Sequence, residues 1–536
     1  MIKLFLRIIL SGFVLFSVVA EISYAQDTLL IKKHLSYLGS DLFGGRGSGT
    51  IGGELSAKYI ALYLNKYELK PMGYENTFYQ YLPMHGSQAK ESSKIILMND
   101  SSDTLTINND FEFFHTSGRI FTPNLISLAF VGYGIIASEF DYDDYKDVDV
   151  EGKIAVYFGG EPYSDDPDYF NGQYSSKYSF ADTKQKIALS KGAVGTIQIP
   201  NYRGTAKDLW EKLIHEFYFE DITLAYLPTP MLSLLISPKS AKKLFDGSQY
   251  SFEQVSAQRF SGELKSFYLK SKLLLQLDFN RRDFISPNVV GYLKGNDEKF
   301  NDEYVVISAH YDHLGIGLPV KGDSIYNGVL DNGIGVSVLL ELASKLSENN
   351  YLLKRSIIFL FTTGEEKGLL GSKYFVDHTP VPVDKIVANI NIDGFAVIDD
   401  FRSVVGVGAE FSSMNDILRE TADEAKLKLE KIPAEFDSFE SFLHSDQLSF
   451  ANAGIPSILV SDGVDYVNVT KSEGIRKWKD YIHNKYHTPF DDLMQKINYE
   501  AVQRHFNFMY NFILNVANTK NEINWNNSSP YQSNNK

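Results

Sequence analysis

The feature that most constrains the fold of this chain is a regular alternation of strand-like and helix-like segments after Asn288. Apolar runs of strand length alternate with runs that have helical apolar spacing, at residues 304–309, 334–346, 356–362, 370–376 and 386–392. This alternation predicts an α/β fold with a mixed, mostly parallel central sheet and helices on both faces. In such sheets, ligands bind at the carboxyl ends of the strands.

The segment from about Ala129 to Leu277 has a different texture, with short β-branched runs separated by Tyr, Gly and Asp. We interpret it as a separate, β-rich unit inserted at residues 116–272. The α/β domain then consists of residues 26–115 and 273–518. Residues 519–536 are rich in Asn and Ser, and we expect this tail to be disordered.

The first residues predict export. Lys3 and Arg7 precede an apolar run at residues 8–20, and small residues follow at positions suited to cleavage. We therefore expect a signal peptide at residues 1–25 and a periplasmic or extracellular protein. The apolar run is shorter than the roughly 20 residues that a membrane-spanning helix needs, and no later segment is long and apolar enough to be one.

Composition limits the partners and the metal chemistry. The net charge of -15, without a basic stripe, argues against binding to nucleic acid. The chain contains no cysteine, so neither disulfides nor thiolate ligands are possible. Any bound metal must be held by histidines and carboxylates. The sequence predicts no oligomeric state.

A glycine-rich link at residues 41–50 separates two segments with helical apolar spacing, residues 29–38 and 53–67. It does not predict a phosphate-binding loop. Such a loop needs Gly-Lys-Ser/Thr opening a helix after a buried strand, whereas here a helix precedes the link and the lysine is absent.

Acidic and imidazole side chains follow three of the predicted strands. His310 and Asp312 come directly after the first strand, Glu365 and Glu366 follow the second, and Asp393 closes the third. Because the carboxyl ends of parallel strands lie at one edge of a sheet, we expect these side chains to lie close together.

Two more candidates lie outside the strands. Asp331 is in a Leu-Asp-Asn-Gly turn that opens a predicted helix, and His487 is near the C-terminus. Singly, each candidate has an ordinary explanation, such as a helix cap, a turn or a solvated face. Together, carboxylates at one sheet edge would repel one another unless cations neutralised them.

The candidate donors favour a zinc site. Imidazoles mixed with carboxylates suit zinc or another borderline divalent metal better than magnesium or calcium. Five ligands are too many for one catalytic zinc that keeps an open position, but they suit two ions if one carboxylate bridges. A site of this kind activates water, so the sequence predicts a hydrolase.

The same residues resemble a known family, the di-zinc aminopeptidases of peptidase family M28, which includes aminopeptidase Y, bacterial leucine aminopeptidases and glutamate carboxypeptidase II. The matching segments occur in the family's order at residues 308–315, 331–333, 364–372, 391–393, 454–456 and 486–489. The resemblance covers essentially the whole chain after the signal peptide. It implies a zinc-dependent exopeptidase fold, peptide substrates and two Zn²⁺ ions per chain.

The resemblance also implies a role for each residue. One zinc ion would be held by His310, Asp331 and Asp393, and the other by Asp331, Glu366 and His487, with Asp331 as the bridge. Glu365 would be the general base that takes a proton from the attacking water. Asp312 would hydrogen-bond the ring of His310, and Tyr486 would supply a phenol to the oxyanion. In relatives, the peptide bond after the bridging aspartate is cis.

Other residues receive no catalytic role. We interpret His313, His444 and His483 as surface histidines or as neighbours of the ligands. Gln447 stands where many relatives have histidine, which obscures any inference about the specificity pocket. The inserted unit resembles a protease-associated domain, through residues 130–134, 150–156 and 186–199; a purely stabilising insertion is an equal alternative.

Three alternatives to an aminopeptidase stay open. A carboxypeptidase or dipeptidase could use the same metal core, a glutaminyl cyclase-like enzyme would hold one zinc, and an inactive binding module would have lost ligands. All five ligand positions are filled here, which argues against the last. The side-chain preference at the cleaved residue is not predicted.

Overall fold

The structure is a computed structural model that describes residues 27–532, except 100–101, 117–124, 167, 171, 173–175, 202–205, 227–230, 263, 395–397, 434–435, 437–441 and 528. It divides into two compact units: unit 1 consists of Met1–Leu82 and Ile285–Lys536, and unit 2 of Pro83–Phe284. The predicted signal peptide lies outside the described residues. No helix among the described residues is both long and apolar enough to cross a membrane.

The elements are numbered in chain order. The strands are β1 (Lys70–Pro71), β2 (Tyr79–Ala89), β3 (Lys94–Met98), β4 (Ser102–Thr106), β5 (Phe111–His115), β6 (Ile126–Phe130), β7 (Ile136–Ala137), β8 (Tyr142–Asp143), β9 (Ile154–Phe158), β10 (Gly195–Ile199), β11 (Asp221–Leu224), β12 (Leu232–Ile236), β13 (Phe267–Gln276), β14 (Phe279–Leu293), β15 (Tyr304–His310), β16 (Gly315–Val320), β17 (Asp323–Tyr326), β18 (Ser356–Thr362), β19 (Ile386–Asn391), β20 (Ser403–Val407), β21 (Lys428–Glu430) and β22 (Ser457–Asp462). The α-helices are α1 (27–38), α2 (Ile51–Lys66), α3 (Ala181–Ser190), α4 (Ala206–Phe217), α5 (Pro238–Leu244), α6 (Phe252–Ser261), α7 (Ile334–Glu348), α8 (Leu370–Asp377), α9 (Met414–Glu424), α10 (Gln447–Asn452), α11 (Lys471–Asn484) and α12 (Tyr499–Asn518).

Four parallel strands form the centre of the sheet in unit 1, in the order β18, β15, β19 and β22. Antiparallel neighbours flank them, with β14 beside β18 and β20 beside β22. Strands β15, β18 and β19 are almost entirely buried, which is typical of parallel strands covered on both faces. The predicted mixed α/β fold is therefore confirmed, with parallel pairings at the centre of the sheet and antiparallel pairings on both sides of that centre.

Alternation along the strands builds two apolar cores in unit 1. Val305 and Ile307 of β15 belong to a large core that also contains buried residues of α2, α7 and α12. Val306 points the other way and packs with Ile358, Phe375 and Phe450, where α8 and α10 cover the sheet. Because successive side chains on a strand face opposite sides, one apolar strand serves both layers.

Unit 2 contains an eight-stranded mixed sheet in the order β4-β3-β13-β6-β9-β10-β12-β5. The expected start of this unit, residue 116, was too late, because β3, β4 and β5 already pair within its sheet. The end lies at Phe284 rather than 272. Local texture did not reveal this boundary, because antiparallel partners of a sheet can be distant in sequence. The likeness to a protease-associated domain stays a prediction.

The tail differs from its expected disorder over residues 519–527 and 529–532, which the structure describes. Trp525 donates its ring N–H to the Gly454 carbonyl at 2.8 Å, and its ring lies 5.5 Å from that of Tyr531. Ile523 is buried in the large core. A few apolar anchors thus fix a segment whose average composition is polar, because burial of single aromatic side chains contributes a large apolar area.

Candidate metal centre and active site

Three parallel strands bring candidate residues to one edge of the sheet in unit 1. Register fixes this convergence, since His310 at the end of β15 lies opposite Thr362 at the end of β18. Ser308 of the same strand pairs with Asn391 at the end of β19. Glu365 and Asp393 therefore follow the two strands, β18 and β19, that pair with β15 on either side.

Asp331 lies in a distorted turn, Val329–Gly333, that leads into α7. Its peptide bond to Asn332 is cis, as the family resemblance implies. The backbone N–H of Asp331 donates to the Asp491 carboxylate at 3.0 Å, and the Asn332 side chain donates to the Ile392 carbonyl at 2.7 Å. These contacts fix the turn on both sides of the peptide bond and aim the Asp331 carboxylate at the strand ends.

The donor atoms form two sets that share Asp331. His310 Nε2 lies 3.3 Å from Asp331 Oδ1 and 3.1 Å from Asp393 Oδ1. His487 Nε2 lies 3.3 Å from Asp331 Oδ2 and 3.1 Å from Glu366 Oε2. Each oxygen of one carboxylate thus faces a different histidine, which is the arrangement that a bridging ligand requires.

These separations fit a divalent cation better than they fit hydrogen bonds. Donors about 2.0–2.1 Å from a tetrahedral zinc ion lie about 3.3 Å from one another. Asp331 Oδ2 and His487 Nε2 are buried and have no hydrogen-bond partner within the described structure. Buried polar atoms without a partner cost free energy, and a metal ion would satisfy both. The five donors therefore fit the pair of ions expected from the sequence.

Several carboxylates and imidazoles lie close together in the buried site, and they shift one another's pKa values. Burial disfavours the ionised form of Asp331, but the adjacent imidazoles of His310 and His487 outweigh burial and hold the pKa of Asp331 well below its ordinary value. In return, burial opposes protonation of His487, yet Glu366 and Asp331 raise its pKa to about 10. The carboxylates thus demand a positive charge, which protons on the imidazoles or bound cations can supply.

Glu365 faces the same cluster without being a member of either set. Its side chain is buried, and one carboxylate oxygen lies within 4.8 Å of donor atoms of His310 and Asp393. Burial, together with the negative charge of Asp393 and Glu366, raises the pKa of Glu365 well above its ordinary value. A carboxylate with raised proton affinity beside a metal-binding cluster is suited to take up and return a proton.

Asp312 differs from its expected contact. The ring nitrogen Nδ1 of His310 lies 3.1 Å from the backbone carbonyl of Asp312, whereas the carboxylate oxygen Oδ1 is 4.0 Å away. The carboxylate instead accepts from the backbone N–H of Glu365 at 3.3 Å and from the Ser48 hydroxyl at 2.9 Å. Asp312 still orients His310, but through its main chain, because the chain turns directly after β15.

Tyr486 lies at the mouth of the cluster. Its ring stacks on His487 with centroids 3.8 Å apart, and the residue is 39% exposed. Burial of the phenol and the charges of Asp331 and Glu366 raise the pKa of Tyr486 well above its ordinary value. The phenol therefore keeps its proton at neutral pH and can donate it in a hydrogen bond.

His313 lies beside a candidate ligand, which is one of its two interpretations above, whereas the sequence gave no indication of Asp491. His313 is buried, and its Nδ1 lies 2.6 Å from Glu366 Oε1, so it fixes one of the candidate ligands. Its position three residues after His310 was the available signal. Asp491, which holds the Asp331 turn, follows His487 by four residues but offered no recognisable pattern. His444 is exposed, as expected of a surface histidine.

The contacts of Gln447 show how glutamine fits at this position, where many relatives have histidine. The side chain is buried, its Oε1 accepts from the Asn391 side chain at 2.9 Å, and its Nε2 donates to the Phe442 carbonyl at 2.9 Å. Asn391 precedes the candidate ligand Asp393 by two residues. Gln447 therefore supports the end of β19 and does not belong to the cluster of donor atoms.

Comparison with known proteins places these features in a family. Peptidase family M28 matches residues 288–513. Aminopeptidase YwaD of Bacillus subtilis is 26% identical over 260 residues, which cover 48% of this chain and 50% of that protein. A probable leucine aminopeptidase 2 of Aspergillus oryzae is 27% identical over 240 residues, covering 42% and 44%. The matched regions thus span about half the length of these relatives or less.

The fold is also similar to that of a solved structure. An aminopeptidase from Aneurinibacillus sp. strain AM-1 superposes with a TM-score of 0.55 at 17% identity, covering 92% of this chain and 95% of that one. At this identity the likeness concerns the fold alone. The family match contains all five candidate ligands and Glu365, in the strand order described above. Residues 288–513 of this chain therefore form a peptidase family M28 domain.

Proposed function

We propose that this chain is an exported, zinc-dependent aminopeptidase that removes N-terminal residues from peptides, with two Zn²⁺ ions and Glu365 as general base. The single observation that carries this proposal is the position of Asp331, whose two carboxylate oxygens each lie 3.3 Å from a different histidine. The names of the related proteins, a Bacillus aminopeptidase and an Aspergillus leucine aminopeptidase, support removal of residues from the N-terminus.

The distances between donor atoms support the two ligand sets that the family resemblance implies. His310, Asp331 and Asp393 would hold one ion, and Asp331, Glu366 and His487 would hold the other. Bound divalent ions would supply Lewis acidity, which makes water more acidic and polarises a peptide carbonyl. Zinc is favoured by the mixture of imidazole and carboxylate donors in a chain without cysteine.

Glu365 would move the proton. Its raised pKa and its buried position let it accept a proton from the attacking water and later deliver that proton to the leaving amine. The backbone N–H of Glu365 donates to Asp312, which fixes the main chain from which the carboxylate projects. Glu366 points instead to His313 and His487, because successive residues leaving a strand project to different sides.

Tyr486 would steady the substrate. Tyr486 is partly exposed and keeps its phenol proton, so it can donate a hydrogen bond to the oxygen of a peptide carbonyl as negative charge develops there. Substitution of Tyr486 by Phe removes this donor and leaves the ring stacked on His487. We expect a loss in kcat with little change in zinc content.

The decisive experiment compares cleavage of free, N-acetylated and C-amidated peptides by the purified protein, with and without a chelator, alongside a zinc count per chain. An aminopeptidase cleaves free and amidated peptides, fails on acetylated ones, and loses activity on chelation until zinc is restored. Cleavage that requires a free carboxylate would identify a carboxypeptidase instead. Cyclisation of N-terminal glutamine with one zinc per chain, or no turnover at all, would contradict the proposal.

Export is tested separately. The charged and apolar pattern of residues 1–25 supports a cleaved signal peptide. Mass spectrometry of the protein recovered outside the cytoplasm should then give an N-terminus at or near Gln26. Recovery of the intact chain from the cytoplasm would contradict export without affecting the assigned chemistry.

A further inference from the structure

The glycine-rich link, residues 41–50, packs tightly against other segments of unit 1, although the proposed reaction gives it no role. Gly45 has a φ of 70°, and a Cβ at this position would lie 2.4 Å from the carbonyl oxygen of Tyr326 and 2.5 Å from that of Gly315. Only glycine permits so close an approach of two backbones. The link is thereby held against the segments that flank the candidate ligands.

Arg46 occupies the centre of this contact and is 1% exposed. Among the described residues, its guanidinium donates to four backbone carbonyls: Nε to Tyr311 at 2.8 Å, Nη1 to Leu38 at 3.1 Å and to Asn327 at 2.5 Å, and Nη2 to Gly328 at 2.8 Å. Burial lowers the pKa of Arg46 to about 10, so the group stays charged at neutral pH. A planar guanidinium can bind several carbonyls in a fixed geometry, which an ammonium group does not reproduce.

The carbonyls that Arg46 binds belong to the two segments that carry ligands. Tyr311 directly follows His310, and Gly328 directly precedes the turn that contains Asp331. One side chain therefore ties together the main chain beside two donors that must lie 3.3 Å apart.

Ser48 makes a second contact from the same link. Its hydroxyl, buried with the rest of the residue, donates to Asp312 Oδ2 at 2.9 Å. The other oxygen of Asp312 accepts from the backbone N–H of Glu365, and the Asp312 carbonyl lies 3.1 Å from the ring nitrogen of His310. Ser48 thus fixes the residue that orients both a ligand and the base.

We propose that Arg46 and Ser48 are positioning residues that hold His310, Asp331 and Glu365 in a metal-ready arrangement before any ion binds. This inference rests on the proposed metal centre. Its physical basis is preorganisation: a site whose donors are already placed loses less conformational freedom when the cation arrives. We therefore expect the link to affect metal affinity and, through bound metal, turnover.

The first test replaces Ser48 by Ala and compares it with Ser56→Ala. Ser56 is also buried, and its hydroxyl donates to the Gly52 carbonyl within α2 at 2.9 Å, away from the donors. Competition with a chromogenic chelator measures the zinc dissociation constant of each protein. We expect Ser48→Ala to weaken zinc binding about 10-fold, with KM unchanged and kcat restored by excess zinc, and Ser56→Ala to bind like the wild type.

The second test replaces Arg46 by Lys, which keeps the positive charge but removes the planar guanidinium group with its several N–H donors. Arg355→Lys is the control, since Arg355 is 2% exposed and donates to Glu303 beside the amino end of β18, the opposite end from the site. We expect Arg46→Lys to weaken zinc binding by about 100-fold. In the metal-free protein, backbone amides of residues 308–314 and 326–333 should exchange hydrogen faster in Arg46→Lys than in Arg355→Lys.

The outcomes separate the two proposals. If the wild type binds no zinc, the proposed function fails. If the wild type binds zinc and both Ser48→Ala and Arg46→Lys bind it with unchanged affinity, only the positioning role is overturned. Should Arg46→Lys fail to fold, as judged by the loss of its thermal transition, Ser48→Ala decides the question alone.

Discussion

Unit 1 and unit 2 both bury charged side chains, but the groups that contact these charges differ between the two units. In unit 2, Asp144 accepts from the backbone N–H groups of Tyr133 and Ile135, and Lys184 donates to the Tyr133 carbonyl at 2.7 Å. Asp144 and Lys184 are thus paired with backbone groups of nearby turns. In unit 1, Asp331 and Glu366 instead share a contact with His487. Among the described residues, Asp331 Oδ2 and His487 Nε2 have no hydrogen-bond partner.

The comparison shows that burial of charge alone does not mark a functional site. Burial raises the pKa of Asp144 to about 6 and lowers that of Lys184 to about 7, so unit 2 also contains strongly perturbed groups. What distinguishes unit 1 is convergence, because donors from three strand ends and two loops meet at separations that suit a cation. The following predictions test this distinction.

Removal of the bridging charge should have the largest effect. Asp331→Asn keeps the side-chain size but takes away the shared carboxylate, so we expect loss of bound zinc and a fall in activity on the order of 1000-fold or more, since several kcal/mol of Lewis-acid stabilisation disappear. Asp144→Asn, an equally buried change in unit 2, should leave zinc content unchanged. Elemental analysis measures the zinc content of each variant, and steady-state kinetics measures its kcat/KM. Equal zinc content in the two variants would abolish the distinction between the units.

Replacement of the base should give the next effect. Glu365→Gln retains all five ligands, so we expect normal zinc content and a kcat at least about 100-fold lower. Glu112→Gln is the matched control, because Glu112 is also buried but lies in unit 2. Its kcat should equal that of the wild type. Near-normal turnover by a fully metallated Glu365→Gln protein would refute the role of general base.

Loss of a buried cation in unit 2 should change stability and leave catalysis intact. Lys184→Met leaves the Tyr133 and Phe158 carbonyls without their donor, so we expect the free energy of unfolding to fall by about 2–4 kcal/mol. Denaturant titration followed by Trp210 fluorescence measures it in this unit. The value of kcat/KM should stay within about two-fold of the wild type. A large catalytic defect in the folded variant would contradict a purely structural role.

The free energy of unfolding should also depend on pH through Glu112 in unit 2, without an effect on catalysis. Burial raises the pKa of Glu112 from 4.5 to about 8, so the folded protein takes up a proton between these values. This contribution to stability is fully present below pH 4.5 and is lost as pH rises through about 8. Glu112→Gln has no such dependence. The free energy of unfolding of this variant, relative to that of the wild type, should therefore increase from pH 5 to pH 9 by on the order of a few kcal/mol.

Urea titrations at pH 5, 7 and 9 would measure this difference. The matched comparison is the wild type at the same pH values, since all other titrating groups are common to both proteins. A constant difference between the two proteins across this range would show that Glu112 does not change its protonation on folding.

Much of the α/β domain could be predicted, because its strands and helices have periodicities that local sequence reports directly. The boundary of unit 2 could not, since β3 pairs with β13 across more than a hundred and fifty residues of chain, and no local pattern encodes that pairing. The ordered tail was missed for a similar reason. Trp525 and Ile523 find their partners in distant elements, so composition alone gave the wrong answer.

By itself, the sequence determined which donors this protein can offer and in what order they leave the strands: His310, Glu366 and Asp393 follow strand ends in any fold of this class. Tertiary structure alone decided how they are held. That His313 contacts Glu366, that Asp312 turns its carboxylate to Ser48, and that Arg46 joins two ligand segments all depend on contacts between distant parts of the chain. Periodicity fixes the direction of a side chain within one element, whereas such contacts exist only once the elements have packed.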